Sequence, residues 1–175
     1  RGRVDGIYLF TTDVQADQLN ATLEFGNRNG GPHTWTSFLA GDYTIRDVWQ
    51  GYYNSLANVN NFIENVGLID TQDDEDNIAT LNQYLGEAYL LRAFYYHQLI
   101  LRWGKAYDAS TASTDPGVPL VLTYNVSATP GRATVAEVYN QILDDIAQAK
   151  ALLTNEVAPP VQSSKMLTVD CVYAL

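Results

Sequence analysis

The residues from which catalysis or metal binding would have to be built are few. The chain has two histidines, His33 and His97, and one cysteine, Cys171, in 175 residues. A nucleophilic centre of the triad kind needs a Ser or Cys beside a His base. His97 falls inside "GEAYLLRAFYYHQLILRWGKAY", residues 86 to 107, the most ring-rich stretch of the chain. A histidine there is expected to be a hydrogen-bonded structural residue. The two histidines do not stand at metal-ligand spacing, and one cysteine supports neither an internal disulfide nor a cysteine-rich zinc site. Paired carboxylates occur at Asp144 and Asp145. Adjacent positions on a helix point in different directions, so they do not flank a bond as a glycosidase pair must. Neither nucleotide-binding glycine pattern is present. The acidic run "TQDDEDN", residues 71 to 77, lacks the spaced oxygens and the glycine of a calcium loop. The expectation is a protein with no catalytic residue, no metal and no cofactor.

Bulk properties narrow the partners. Ten basic against twenty acidic residues leave a net charge of -10. Such a surface repels phosphates, which argues against nucleic acid and anionic lipid. Apolar runs all fall short of the roughly 20 residues that span a bilayer. The chain opens on Arg1-Gly2-Arg3 without an initiator Met and stops at Leu175 inside an apolar pattern, so a fragment of a longer chain is expected. A chain of this length suffices for one domain with a buried core.

The elements that must position any site are helical. Ile45, Val48, Tyr52, Leu56, Val59, Ile63 and Val66 recur at steps of three and four, which places them on one helix face. Thr44 with Asp47 resembles an N-terminal cap, and Gly67 a stop. A second helix is expected to start at the 71 to 77 cluster, whose carboxylates suit the positive end of a helix dipole. It carries two apolar rows: Ile78, Leu81, Leu85, Tyr89, Ala93, Tyr96, Ile100 and Trp103, then Ala88, Leu91, Tyr95 and Leu99. Two rows mean cover on more than one side, hence a central helix whose rings are mainly core. Arg92 lies among these rows and requires an acidic partner from a neighbouring helix. Residues 108 to 132, rich in Ser, Thr, Pro and Gly, form an ordered crossover loop, with "GVPLVLTY" its one strand-like run. Thr134 and Glu137 then make a full capping box, followed by a buried stripe of Val135, Val138, Ile142, Ile146, Ala149 and Leu153. Pro159 and Pro160 end that segment, and "SKMLTVDCVYAL" begins a further apolar helical run. Leu85, Gly86 and Tyr89 reproduce the L-G-x-x-Y part of a tetratricopeptide helix, although Asn82 stands where its Trp belongs.

The order of the segments carries more information than any one of them. "VWQGYYNSLANVNNFIENV", "LGEAYLLRAFYYHQLILRWGKAY", "GVPLV" and "RATVAEVYNQILDDIAQAKALL" follow one another as in the N-terminal half of the SusD/RagB family, and the chain resembles that family clearly over residues 44 to 154. Arg92, Ala93, Tyr95 and Tyr96 match its "LRAxYY"-like helix and Gly104 its turn. Gly117, Val118 and Pro119 match its "GVPL", and Arg132, Thr134, Val135, Val138 and Tyr139 its "R-x-T-V-x-x-V-Y".

The resemblance implies an all-α fold of tetratricopeptide-like helix pairs with long ordered loops. Residues 1 to 175 would be a single helical N-terminal portion lacking the C-terminal remainder. It further implies a non-enzymatic, surface-exposed nutrient-binding lipoprotein of the Bacteroidetes outer membrane. Such a protein captures oligosaccharides, or in some members peptides, and delivers them to a SusC-like TonB-dependent transporter. The family's lipid-bearing Cys is missing here, so membrane attachment would run only through an anchor outside this chain. The other reading of the pattern is a tetratricopeptide-type scaffold for protein partners.

Sugar sites need flat rings that stack on pyranose faces and polar groups that bond hydroxyls, carried by loops. The best match is "FGNRNGGPHTWTSF", residues 25 to 38. Trp35 would be the platform, with Asn27, Arg28, Asn29 and His33 as polar partners and three glycines allowing close approach. The competing reading packs Trp35 against the helices and leaves the Asn and Gly residues to turn the chain.

Overall fold

The computed structural model describes residues 14–16, 18, 26, 30–36, 43–125, 127–153 and 169–173. Their helices are α1 (Gly30–Thr34), α2 (Tyr43–Asn65), α3 (Glu75–Trp103), α4 (Val135–Leu152) and α5 (Val169–Tyr173), with a 3-10 turn at Val66–Leu68. The described residues form no strand, so the fold is all-α, as expected. "GVPLVLTY" contributes an edge to one isolated antiparallel bridge, Pro116 with Thr134, and nothing longer. Proline in and before the run removes the donors that a ladder needs.

The chain divides into two compact units, residues 1–54 and 55–175. In the first, Val14, Val48 and Tyr52 are buried. Trp49 is half-buried and tilts against Tyr53 with centroids 4.8 Å apart. Thr44 is not the cap of α2, because the helix already begins at Tyr43. Asp47 instead accepts from Arg46 Nε at 2.8 Å.

In the second unit α3 packs mainly on α4, and α4 also meets α5. α3 starts one residue after Asp74, whose side chain accepts from Asn77 N, with Glu75 and Asp76 in the first turn. It is buried on several sides, through Ala88, Leu90, Ala93, Tyr95, Tyr96, Leu99 and Ile100. The predicted first row fails at its N-terminal end, where Ile78 is exposed. That first turn is made of carboxylates and amides, which stay in water and keep Ile78 there. Gly86 explains how closely α4 approaches: a Cβ there would lie 2.9 Å from Leu153 Cδ2. Leu153 in turn joins Leu90, Ala149 and Val172 in a small apolar cluster that Tyr89, Ile146 and Cys171 flank.

α4 opens with the complete capping box. Thr134 Oγ1 accepts from Glu137 N at 3.2 Å, and Glu137 Oε2 accepts from Thr134 N at 2.7 Å. These bonds to the ionised form hold the Glu137 carboxyl below its ordinary range. Of the segment after Pro160, α5 is the described part.

Two motifs of the family resemblance meet at one corner. Gly117 N donates to Ala133 O at 2.8 Å and Ala133 N to Val118 O at 3.1 Å. Arg132 donates from Nε to Gly117 O at 2.7 Å and from its terminal nitrogen to Trp103 O. A Cβ on Gly117 would stand 2.8 Å from Thr134 O, so only glycine lets the two segments close. Asp115 organises the preceding loop. It accepts from Lys105 Nζ and Thr111 Oγ1, each at 2.6 Å, while its carbonyl accepts from Val135 N. The Lys105 hydrogen bond, then that from Thr111, keep the Asp115 carboxyl below the usual range.

Candidate functional site

Of the five predicted site residues, His33 and Trp35 are described, while Asn27, Arg28 and Asn29 lie outside the described residues. The segment is not loop throughout. "GGPHT" forms α1, in which Gly30 is buried and His33 half-buried. Gly26 upstream has φ 79°, a left-handed turn that an L side chain rarely adopts.

Trp35 stands at the stop of α1. Thr36 N donates to Gly31 O at 3.0 Å, the six-to-one bond of a Schellman-type helix end, and Trp35 occupies its left-handed position at φ 55°. Glycine is the usual tenant of that position because a Cβ there costs roughly 1–2 kcal/mol. Thr34 Oγ1 reinforces the stop by donating to Gly30 O at 2.7 Å, and it lies 2.7 Å from Thr36 Oγ1. The indole is anchored once more, from Nε1 to Gln15 O at 3.0 Å. Even so, 66% of Trp35 is exposed. An aromatic ring that is both fixed and largely open to water offers a stacking face. Nothing in the sequence pointed to Gln15, since a backbone carbonyl leaves no mark in residue type.

The rings of α3 are a different matter. Tyr95 and Tyr96 are buried, and Tyr89, Phe94 and Trp103 are half-buried, which makes this run core, as its two rows predicted. Tyr107, beyond the helix, is the exception at 58% exposed, and it meets Tyr139 edge-on at 5.3 Å between centroids.

Arg92 finds the acidic partner expected of it. Its guanidinium holds Asp145 with both arms, Nε to Oδ2 at 2.9 Å and a terminal nitrogen to Oδ1 at 2.7 Å. Asn60 Oδ1 takes a third bond at 3.2 Å, and Gln141 donates to Asp145 at 3.0 Å. Burial alone would lower the Arg92 pKa, but the Asp145 hydrogen bonds and charge outweigh it and leave the group above its ordinary value. Tyr96 Oη donates to Val121 O and accepts from Val121 N, and Asn60 Nδ2 also reaches Val121 O. Burial pushes the Tyr96 hydroxyl up to about 12 against the lowering effects of the Val121 bond and Arg92. This network of largely buried groups ties α2, α3, α4 and the crossover loop together.

His97 departs from expectation. Its Nδ1 is buried without a hydrogen-bond partner among the described residues, and burial lowers its pKa. Groups of three or more His, Cys, Asp or Glu side chains arranged to hold a metal ion do not occur among the described residues, and no described helix is long and apolar enough to cross a membrane.

Comparison with known proteins agrees with this geometry. Residues 5–174 match the SusD-like family described as starch-binding and associating with the outer membrane. A SusD-like protein of Formosa agariphila is 31% identical over 137 residues, which cover 76% of this chain and 22% of that protein. A SusD superfamily protein of Bacteroides thetaiotaomicron superposes with a TM-score of 0.67 at 22% identity, over 82% of this chain and 30% of the other. Surface glycan-binding protein A of Bacteroides uniformis does so with a TM-score of 0.56 at 20% identity, over 73% and 25%. The chain thus spans between a fifth and a third of the length of these relatives, and it belongs to the SusD-like family.

Proposed function

We propose that this chain carries a helical portion of a non-catalytic glycan-capture protein. It binds oligosaccharides at the cell surface and passes them to a SusC-like TonB-dependent transporter in the outer membrane. The observation that carries this reading is the match of residues 5–174 to a family described as starch-binding and outer-membrane-associated. The fixed, exposed ring of Trp35 supplies the local chemistry, with His33, Asn27, Arg28 and Asn29 as hydrogen-bonding partners for hydroxyls. Its association with the outer membrane runs through a lipid anchor.

Titration calorimetry of the full-length chain with soluble starch and maltooligosaccharides tests the capture step, and a reducing-end assay tests turnover. Saturable binding with no new reducing ends is expected, and Trp35→Ala weakens it more than about tenfold, as loss of an aromatic anchor does. Release of new reducing ends sinks the non-catalytic assignment. Binding of a peptide or protein with no glycan affinity moves the chain to the scaffold reading. Delivery is tested by co-purification of a TonB-dependent transporter from solubilised outer membranes.

A further inference from the structure

α5 covers one end of the groove between α3 and α4. Val172 packs there with Leu90 of α3 and with Ala149 and Leu153 of α4, and Ile146 flanks the same cluster. Beside it the Tyr173 ring centroid lies 4.9 Å from Lys150 Nζ. The groove does not stop with α5. On α3, Leu90, His97 and Leu101 follow one another at steps of seven and four, which keeps them on one face. On α4, Lys150, Ile146, Leu143 and Tyr139 keep the same rhythm in the opposite direction. The two helices run antiparallel: Leu153 lies against Gly86, Asp145 holds Arg92, and Arg132, just before α4, reaches Trp103 O at the far end of α3. Both faces therefore leave the α5 contact together and run toward the C-terminal end of α3.

That second stretch faces water. Leu101 is 59% exposed and Leu143 61%, and Tyr107, edge-on to Tyr139, closes the far end at 58%. The outward face of α4 is polar, through Glu137, Asn140, Asp144 and Gln148, and Leu143 is set off from it. On the α3 side, His97 Nδ1 is buried with no hydrogen-bond partner among the described residues. Leaving such an atom unpaired costs about 1–3 kcal/mol.

We infer that a helical segment elsewhere in the full-length polypeptide fills this second stretch, end to end with α5, and presents a hydrogen-bonding side chain to His97 Nδ1. Continuity with the α5 contact carries the helical part, because the same two side-chain rows already receive a helix at their other end. Seven residues separate Ile146 from Tyr139, a rise of about 10 Å or two helical turns. Two turns cannot supply the roughly 1,200 Å² that stable complexes of separate chains bury. A segment tethered to the same polypeptide needs far less, since its effective concentration is high. The relatives are long enough to provide one, as this chain spans 22% to 30% of their length. A single polar contact in an apolar seam fixes the register of the helices that meet there, and His97 would serve as that key. The inference stands apart from glycan capture.

Cysteine labelling of the full-length protein tests the occupant. Leu101→Cys and Leu143→Cys are treated with a maleimide, folded and in denaturant, and read by peptide mass spectrometry, which keeps Cys171 separate. Both positions are expected to label more than about tenfold more slowly when folded, as sites that open only through local unfolding do. Labelling near the denatured rate in the purified protein overturns the inference, whether the groove stays open or takes a separate partner. Protection lost on dilution overturns it in favour of a second copy.

The crystal structure of the full-length protein tests the key. A polar side chain of the covering helix within about 3.2 Å of His97 Nδ1 is expected. Apolar side chains alone over His97 overturn the register role, and a covering segment that is not helical overturns the shared seam.

Discussion

Arg92 and Asp145 are 8% and 2% exposed in their side chains, so each is a charge that water no longer stabilises. Removing either partner leaves the other buried and uncompensated. Arg92→Ala and Asp145→Ala should each cost about 3–5 kcal/mol of unfolding free energy, read from denaturant unfolding, whereas a paired apolar replacement of both should cost much less than the sum. Arg92→Lys should behave as a broken pair, because an ammonium cannot reproduce the two-armed contact. Asp115 titrates usefully. Its folded pKa is depressed, so its stabilising effect is present above the ordinary carboxylate range and is lost as pH falls through the lowered value. The gap in thermal midpoint between wild type and Asp115→Asn should be widest at neutral pH and close on acidification. His97 acts in the same direction at higher pH. Its lowered pKa means that the neutral form suits the fold, and stability is lost as pH drops through the ordinary histidine range and below. Arg92 is legible in the sequence as a charge among apolar rows, and His97 by its apolar surroundings. That His97 Nδ1 finds no partner among the described residues was not legible in the sequence, because it depends on what packs over α3.

At the scale of elements, local signals performed best where they are self-contained. The Thr134 and Glu137 box needs only four consecutive residues, and it is present as its spacing demanded. Thr134→Ala should destabilise by about 1 kcal/mol, with Glu137→Ala adding little further, since the two bonds form as a unit. The Thr44 and Asp47 signal failed because the helix can start earlier when nothing in the preceding residues forbids it. Gly86 illustrates a feature that belongs to a pair of elements. Within α3 it is a mild weakness, yet the end of α4 occupies the space its Cβ would take. Gly86→Val should therefore cost about 1–3 kcal/mol by overpacking, read from denaturant unfolding, even though valine has the higher helix propensity of the two.

At the scale of the whole chain, the net charge of -10 bears on the proposed glycan binding. Affinity for a neutral glucan should change less than about twofold between low and high salt, because no ion pair is formed on association. A sulfated or uronic polysaccharide should bind more weakly at low salt and recover as salt screens the repulsion. Calorimetry at two ionic strengths distinguishes these. The proposed Trp35 platform fits that picture, since its Nε1 is bonded to Gln15 O and the exposed ring is uncharged carbon.

Periodicity, capping residues and the order of four motifs made the all-α fold, the central helix and the family readable from the sequence, because each depends on spacing along one chain. The same holds for the requirement that Arg92 be paired, which follows from a charge set among apolar rows. Which carboxylate answers it was decided in three dimensions, and so was the role of Asn60. The candidate site divides along the same line. Trp35 was legible as an aromatic in a glycine-rich, polar stretch, but its left-handed backbone, its exposure and the Gln15 carbonyl that holds its N–H were not. Residue types report what a side chain can do, and only the folded chain brings a backbone carbonyl from 20 residues away to the one atom that fixes the ring.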